Sequence, residues 1–246
     1  MLQLPTSPKQ SLLRARAALN RFVDARWEND PFGTRPHASR EDYLRLYDET
    51  RVKDYPEIDA IERELGYAID RHWLDDLALH TQIVKKKSDL SYAHGRLLYA
   101  LLRHLIAQQS LDWVGILETG TARGFSAICM SRALSDASVD GLIVTIDVLS
   151  HLRKQIWNCI DDHDGPKSRA DILAPWHEYA KNILFVQGDT LYTLPKVGMS
   201  RVHFAFLDAQ HTREDVLHEF SSVAMRQLPG DMIVFDDVTP QSFPGV

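Results

Sequence analysis

Along the first ninety residues, apolar positions recur every three or four places, which is helical spacing. Leu12, Leu19, Phe22 and Val23 mark one amphipathic helix. Ile58, Ile61, Leu65, Ile69, Trp73 and Leu77 mark a second, on one continuous face. Between them the segment 29–37, with two prolines and a glycine, reads as a loop. A third helix is expected to begin near Tyr92, burying Leu97, Leu98, Leu101, Leu102 and Leu105.

Past residue 112 the texture changes. Short apolar runs of strand length appear at Trp113–Leu117, Leu142–Ile146, Ile183–Val186, Val202–Leu207 and Met232–Phe235. The segments between them can be helical. Val216, Leu217, Phe220, Val223, Ala224 and Leu228 form an apolar stripe, with Thr212 placed to cap its start. Strand–helix alternation predicts an α/β, doubly wound, mainly parallel sheet with helices on both faces. The stretch Val148 to Lys181 is long for one crossover, so two helices are expected around a polar break at residues 161–166.

Composition narrows the class. The net charge of −6, from 34 acidic and 28 basic residues, argues against broad nucleic-acid binding, which needs Lys and Arg to neutralise phosphates. The run Lys85-Lys86-Lys87 is short and reads as a solvated helix end. Two cysteines, Cys129 and Cys159, offer neither a disulfide framework nor zinc-ligand spacing. Residues 1–10 lack signal-peptide organisation, and no apolar run reaches membrane-spanning length. The expectation is a cytoplasmic protein with a small-molecule substrate, no nucleic-acid or membrane partner, and scope for homo-oligomers.

The chemistry concentrates at strand ends. Ile116-Leu117-Glu118-Thr119-Gly120-Thr121-Ala122-Arg123-Gly124-Phe125-Ser126 follows the first strand and opens a helix. Gly120 allows a tight turn, Gly124 allows close backbone approach, and Ser126 stands in the first helical turn. The spacing E-x-G-x-x-x-G differs from the dinucleotide-binding G-x-G-x-x-G. This loop resembles the first motif of class I S-adenosylmethionine-dependent methyltransferases, and the resemblance continues to Val246. It implies a Rossmann-like methyltransferase domain over 92–246, preceded by a helical extension or lid over 1–91. It also implies a cofactor site of Glu118, Gly120, Thr121, Gly124 and Ser126, with Asp147 on the ribose hydroxyls and Gly188, Asp189 and Thr190 beside the adenine. Tyr92-Ala93-His94-Gly95-Arg96-Leu97-Leu98 resembles the segment that closes over the cofactor in the catechol-methyltransferase branch, and a plain helix start accounts for it equally well. The family's sheet has seven strands, whereas five are legible here. The tail 238–246 reads as the start of a missing edge, leaving either a fragment or an edge completed by a partner.

A second constellation ends the fourth and fifth runs: Asp208, then Asp236 and Asp237. Three carboxylates at one sheet edge repel unless protonated or neutralised, and a hard divalent cation such as Mg²⁺ suits their oxygens. Alternatively, Asp208 simply ends a strand and Asp237 caps a helix. In metal-dependent O-methyltransferases a ligand ends the fourth strand and an acidic pair or Asp-Asn ends the fifth. The resemblance therefore implies Asp208, Asp236 and Asp237 as metal ligands, with Asp208 also at the cofactor. The Asp-Asp pair is nearer the macrocin and mycinamicin branch than the catechol branch. His211, three residues after Asp208, matches the histidine of that antibiotic-sugar branch and implies a catalytic base; its unperturbed pKa of about 6.5 suits that task. His203, inside a strand, reads as a core residue. A metal-independent methyltransferase, a silent cofactor-binding scaffold and a nicotinamide oxidoreductase are the competing readings.

Overall fold

The computed structural model describes residues 30–210 and 212–236. The helix expected around Leu12 to Val23, Asn29, His211, Asp237 and the tail 238–246 lie outside the described residues.

Among the described residues, five parallel strands form one sheet in the order β3-β2-β1-β4-β5. They are β1 (Trp113–Thr119), β2 (Asp140–Asp147), β3 (Ile183–Gln187), β4 (Phe204–Leu207) and β5 (Met232–Phe235). Every apolar run foreseen in the sequence is therefore a strand. This is the doubly wound, Rossmann-like sheet that the strand–helix alternation predicts. The chain order reverses between β1 and β4, and in open parallel sheets that switch point is where ligands bind, beyond the strands' carboxyl ends.

Among the described residues, four helices precede the sheet: α1 (Arg40–Arg51), α2 (Pro56–Leu65), α3 (Arg71–Thr81) and α4 (Ala93–Gln109). The continuous apolar face expected from Ile58 to Leu77 is in fact divided between α2 and α3. Gly66 takes a left-handed φ of 77° that closes α2, and Asp70 then caps α3 by accepting from the Trp73 N–H at 2.8 Å. Ile58, Ile61 and Leu65 of α2 are only half-buried, whereas Ile69 and Leu77 are buried in the core. The helix α1 went unread because it is largely polar, burying only Tyr43 and Thr50. Its signal is a capping box, in which the Asp42 N–H donates to Ser39 Oγ and the Asp42 carboxylate accepts in return.

One face of the sheet joins these helices in a single core. Tyr43, Leu74, Leu77, Leu98 and Leu102 are buried with Ile116, Phe204 and Phe206. The close packing of α4 on α5 (Phe125–Ala137) depends on Gly95, where a Cβ would come within 2.6 Å of the Phe125 ring. The other face is a smaller cluster around Leu117, Val144, Ala205, Leu207 and Val223. Thr212 caps α9 (Arg213–Ala224) as its sequence suggests, by accepting from the Asp215 N–H. The apolar stripe of α9 is less buried than its pattern implies, since Leu217 and Phe220 are exposed and only Val223 is fully covered.

The crossover from β2 to β3 also departs from expectation. The polar break is a 3-10 turn, Ile160–Asp164, with Asp161 and Asp162 buried. Short helices α6 (Arg169–Leu173) and α7 (His177–Ala180) follow it. Burial of these acids is possible because each has partners. Asp161 receives His80 Nδ1 at 2.7 Å and Lys167 Nζ at 3.1 Å, and Asp162 accepts the N–H groups of Trp157 and Cys159. Among the described residues, no helix is long and apolar enough to cross a membrane.

Candidate active site

Register places the strand-terminal residues together. Glu118 of β1 pairs with Thr145 of β2 and Phe206 of β4, and Phe206 pairs with Val234 of β5. One or two residues further, the chain leaves the sheet at Gly120, Asp147, Asp208 and Asp236. The Asp208 N–H donates to Thr119 O at 3.0 Å, and the Asp236 N–H donates to Leu207 O at 3.1 Å. Asp208 and Asp236 therefore end neighbouring strands at one edge.

A cavity of about 340 Å³ opens at this edge, lined by Gly120, Asp147, Gly188, Asp189, Thr190 and Asp208 among others. That size suits a small organic ligand. Gly120 holds φ at 85°, and a Cβ there would meet the Asp208 carbonyl oxygen at 1.9 Å. Only glycine lets the β1 turn and the β4 end approach this closely. Asp189 shapes the β3 side by accepting from the Leu191 N–H at 2.8 Å, which starts the short helix α8 (Thr190–Thr193).

Six of the ten residues expected at the cofactor line the cavity. The other four, Glu118, Thr121, Gly124 and Ser126, lie beneath or beside it. Glu118 is fully buried and accepts hydrogen bonds from Ser126 Oγ and Thr145 Oγ1. Thr145 Oγ1 in turn meets Thr121 Oγ1. Burial pushes the Glu118 carboxyl up to about 7, against the two hydroxyl donors, which pull it down. This network supports the glycine loop from below. The sequence spacing showed the residue types but not which side of the loop they occupy.

Asp147 stands at the cavity wall with two backbone donors, Ala122 N–H at 2.6 Å and Leu149 N–H at 2.7 Å. Burial raises its pKa, while Arg169 and the backbone donors act in the opposite sense. Sequence reasoning missed Phe32, which also lines the cavity and lies beneath the Arg123 guanidinium, 5.5 Å from its ring centroid. It also missed His94. That imidazole stacks on Phe206 at 6.1 Å and meets Phe125 edge-on at 5.0 Å, within electrostatic reach of Asp236. Burial lowers its pKa and so favours the neutral ring. Its position in the motif Tyr92-Ala93-His94-Gly95 was visible, but its nearness to β5 was not. His203 is a core residue as expected, its Nδ1 accepting from the Gly115 N–H at 3.0 Å.

The pocket fits an adenosyl cofactor by its own chemistry: a close glycine turn, a carboxylate for hydroxyl donors, and a capped turn on the far side. For a hard cation, Asp208 and Asp236 offer suitable oxygens at adjacent strand ends. Among the described residues, no group of three metal-binding side chains is assembled. Asp237 and His211, the remaining candidates, lie outside the described residues.

Comparison with known proteins follows this geometry. Residues 117–238 match the family model of a methyltransferase domain. The O-methyltransferase NovP has a similar fold, with a TM-score of 0.50 and 13% identity, over 69% of this chain and 75% of that one. Cofactor-bound Rv0187 from MTB is 21% identical, over 81% of this chain and 73% of its own, with a TM-score of 0.43. A putative caffeoyl-CoA O-methyltransferase from Staphylococcus aureus is 18% identical, over 76% and 75%, with a TM-score of 0.46. No curated protein matches. The matched segment contains the glycine turn, the β2 and β4 carboxylates and β5, and it identifies this part of the chain as a methyltransferase domain.

Proposed function

We propose that the enzyme methylates a hydroxyl group of a small molecule carrying two neighbouring oxygens, such as a sugar or a phenol, with a divalent metal at Asp208, Asp236 and Asp237. The observation that carries this reading is that Asp147 and Asp208 line one cavity while Asp236 ends the adjoining strand. A cofactor carboxylate and an acceptor-side carboxylate thus face a common space. NovP, the fold relative, is an O-methyltransferase by name, which is consistent with a hydroxyl acceptor.

In this reading, Asp147 orients the ribose, while the Gly120 turn and the Asp189 corner fix the ends of the cofactor. Asp208 and Asp236 would hold the metal together with Asp237. When bound, the metal supplies Lewis acidity that makes a coordinated hydroxyl easier to deprotonate. His211, set three residues past Asp208, would accept the proton of the acceptor hydroxyl. S-adenosylmethionine would supply the methyl group, its carbon–sulfur bond breaking as the acceptor oxygen bonds to the methyl carbon and its sulfonium leaving as a neutral thioether.

Calorimetry with S-adenosylhomocysteine and with NAD, each with and without Mg²⁺, tests the cofactor. Binding of the first and not of the second is expected. Turnover on vicinal diols and catechols, with and without a strong chelator, tests the metal. Loss of turnover with retained cofactor binding supports it, whereas turnover that survives chelation overturns it.

A further inference from the structure

We propose that Arg169 is a cofactor-positioning residue that sets the ribose-facing carboxylate of Asp147, making the crossover 148–181 a working part of the cofactor site. This rests on the S-adenosylmethionine assignment of the pocket. Arg169 starts α6, far from the strand ends in sequence, yet its side chain is only 2% exposed. Its Nε donates to Ala122 O at 2.7 Å, and its Nη2 lies 3.6 Å from Asp147 Oδ2. The guanidinium lies over the rings of Trp157, at 5.4 Å, and Phe185, at 5.8 Å.

Ala122 is the peptide caught between them. It has a left-handed φ of 46°, donates its N–H to Asp147 and accepts from Arg169 at its carbonyl. The connection is reciprocal, because Arg123 of the glycine loop donates to Trp157 O in the crossover. The buried Arg169 and the half-buried Arg123 therefore bind the loop and the crossover to each other. Arg169 Nη2 has no hydrogen-bond partner, so its charge acts on Asp147 across a short gap in a dry setting.

A carboxylate serves two ribose hydroxyls only when ionised, because then it only accepts. Asp147 already gives one acceptor position on each oxygen to backbone N–H groups, so its remaining lone pairs are directional. Arg169 favours the ionised form and, through the Ala122 carbonyl, holds the peptide whose N–H fixes the carboxylate. Lysine cannot do both tasks, since a single ammonium lacks the planar fork that reaches the Ala122 carbonyl while facing the carboxylate between two aromatic rings.

The test compares S-adenosylhomocysteine with its 2′,3′-dideoxy analogue by calorimetry on the full chain, in wild type, Arg169→Lys and Arg169→Met. Wild type is expected to prefer the hydroxylated ligand by roughly tenfold to a hundredfold. In Arg169→Met that ratio collapses to within about threefold, and Arg169→Lys falls between. A merely structural arginine would weaken both ligands together and leave the ratio intact. An unchanged ratio in a variant that melts cooperatively overturns the proposal. If the Met variant does not fold, the Lys variant decides on the same ratio. Failure of wild type to bind S-adenosylhomocysteine overturns the cofactor assignment instead, which is a distinguishable result.

Discussion

The two halves of the strand-end edge are built differently. On the β1–β3 side, Glu118, Thr121, Thr145, Asp147 and Asp189 are tied by hydrogen bonds, and one arginine of the crossover and one of the loop join those two segments. On the β4–β5 side, every residue of β5 is partly exposed and the facing helix α9 leaves Leu217 and Phe220 in contact with solvent. A tightly satisfied network preorganises a site for one ligand, whereas a looser edge accommodates varied acceptors. A common methyl donor beside a variable methyl acceptor calls for this division. The comparison predicts that β1–β3 lesions damage cofactor affinity while β4–β5 lesions damage turnover.

The largest expected break is Asp208→Asn. Turnover should fall by roughly a thousandfold if the proposed metal loses a ligand there, while the Kd for S-adenosylhomocysteine moves by no more than about fivefold. Steady-state kinetics beside calorimetry reads both. A loss confined to cofactor binding would place Asp208 on the wrong side of the division. Next is His211→Ala, which should slow single-turnover methyl transfer by roughly a hundredfold or more, as expected for a general base. It should also remove the acidic limb of the rate's pH profile. An unchanged profile would remove the histidine from the mechanism.

On the cofactor side, Gly120→Ala should weaken S-adenosylhomocysteine about a hundredfold. The left-handed backbone and the Asp208 carbonyl both oppose a side chain there. Its diagnostic is what survives. At saturating cofactor, turnover should recover far more than in Asp208→Asn, and a failure to recover would show that the two halves are not separable.

Much of this division is legible in the sequence, and the unread parts share a physical cause. Apolar runs ending on Glu118, Asp147, Asp208 and Asp236 announce the strands and their chemical edge, because burial and alternation are local signals. The Thr212 cap is local too. The buried acids of residues 161–162 and Arg169 are not legible, because a charged residue in a polar stretch reads as solvated unless its partner is known. Those partners lie far away in sequence: His80 for Asp161, and Ala122 and Asp147 for Arg169. Glu118 is intermediate. Its place in the motif is plain, but its burial under the loop depends on Thr145 of the neighbouring strand and Ser126 of the following helix.

Glu118 gives the smallest and most discriminating test, since it bears on stability rather than on ligand. Its folded pKa, raised by burial to about 7, exceeds the value of 4.5 expected in the unfolded chain. The folded protein therefore binds the extra proton between these values, so the stability it contributes is complete below pH 4.5 and is lost as pH rises through 7. Glu118→Gln removes the titration while retaining the ability to accept from Ser126. Urea melts should show the variant and wild type similar near pH 4.5 and the variant more stable by about 2 kcal/mol at pH 8. A constant difference across that range would mean that the Ser126 and Thr145 hydroxyls already hold the carboxylate charged at neutral pH. The cofactor half would then be preorganised by an ion and not by a neutral acid, and a cationic methyl donor would be favoured over its neutral product at that position.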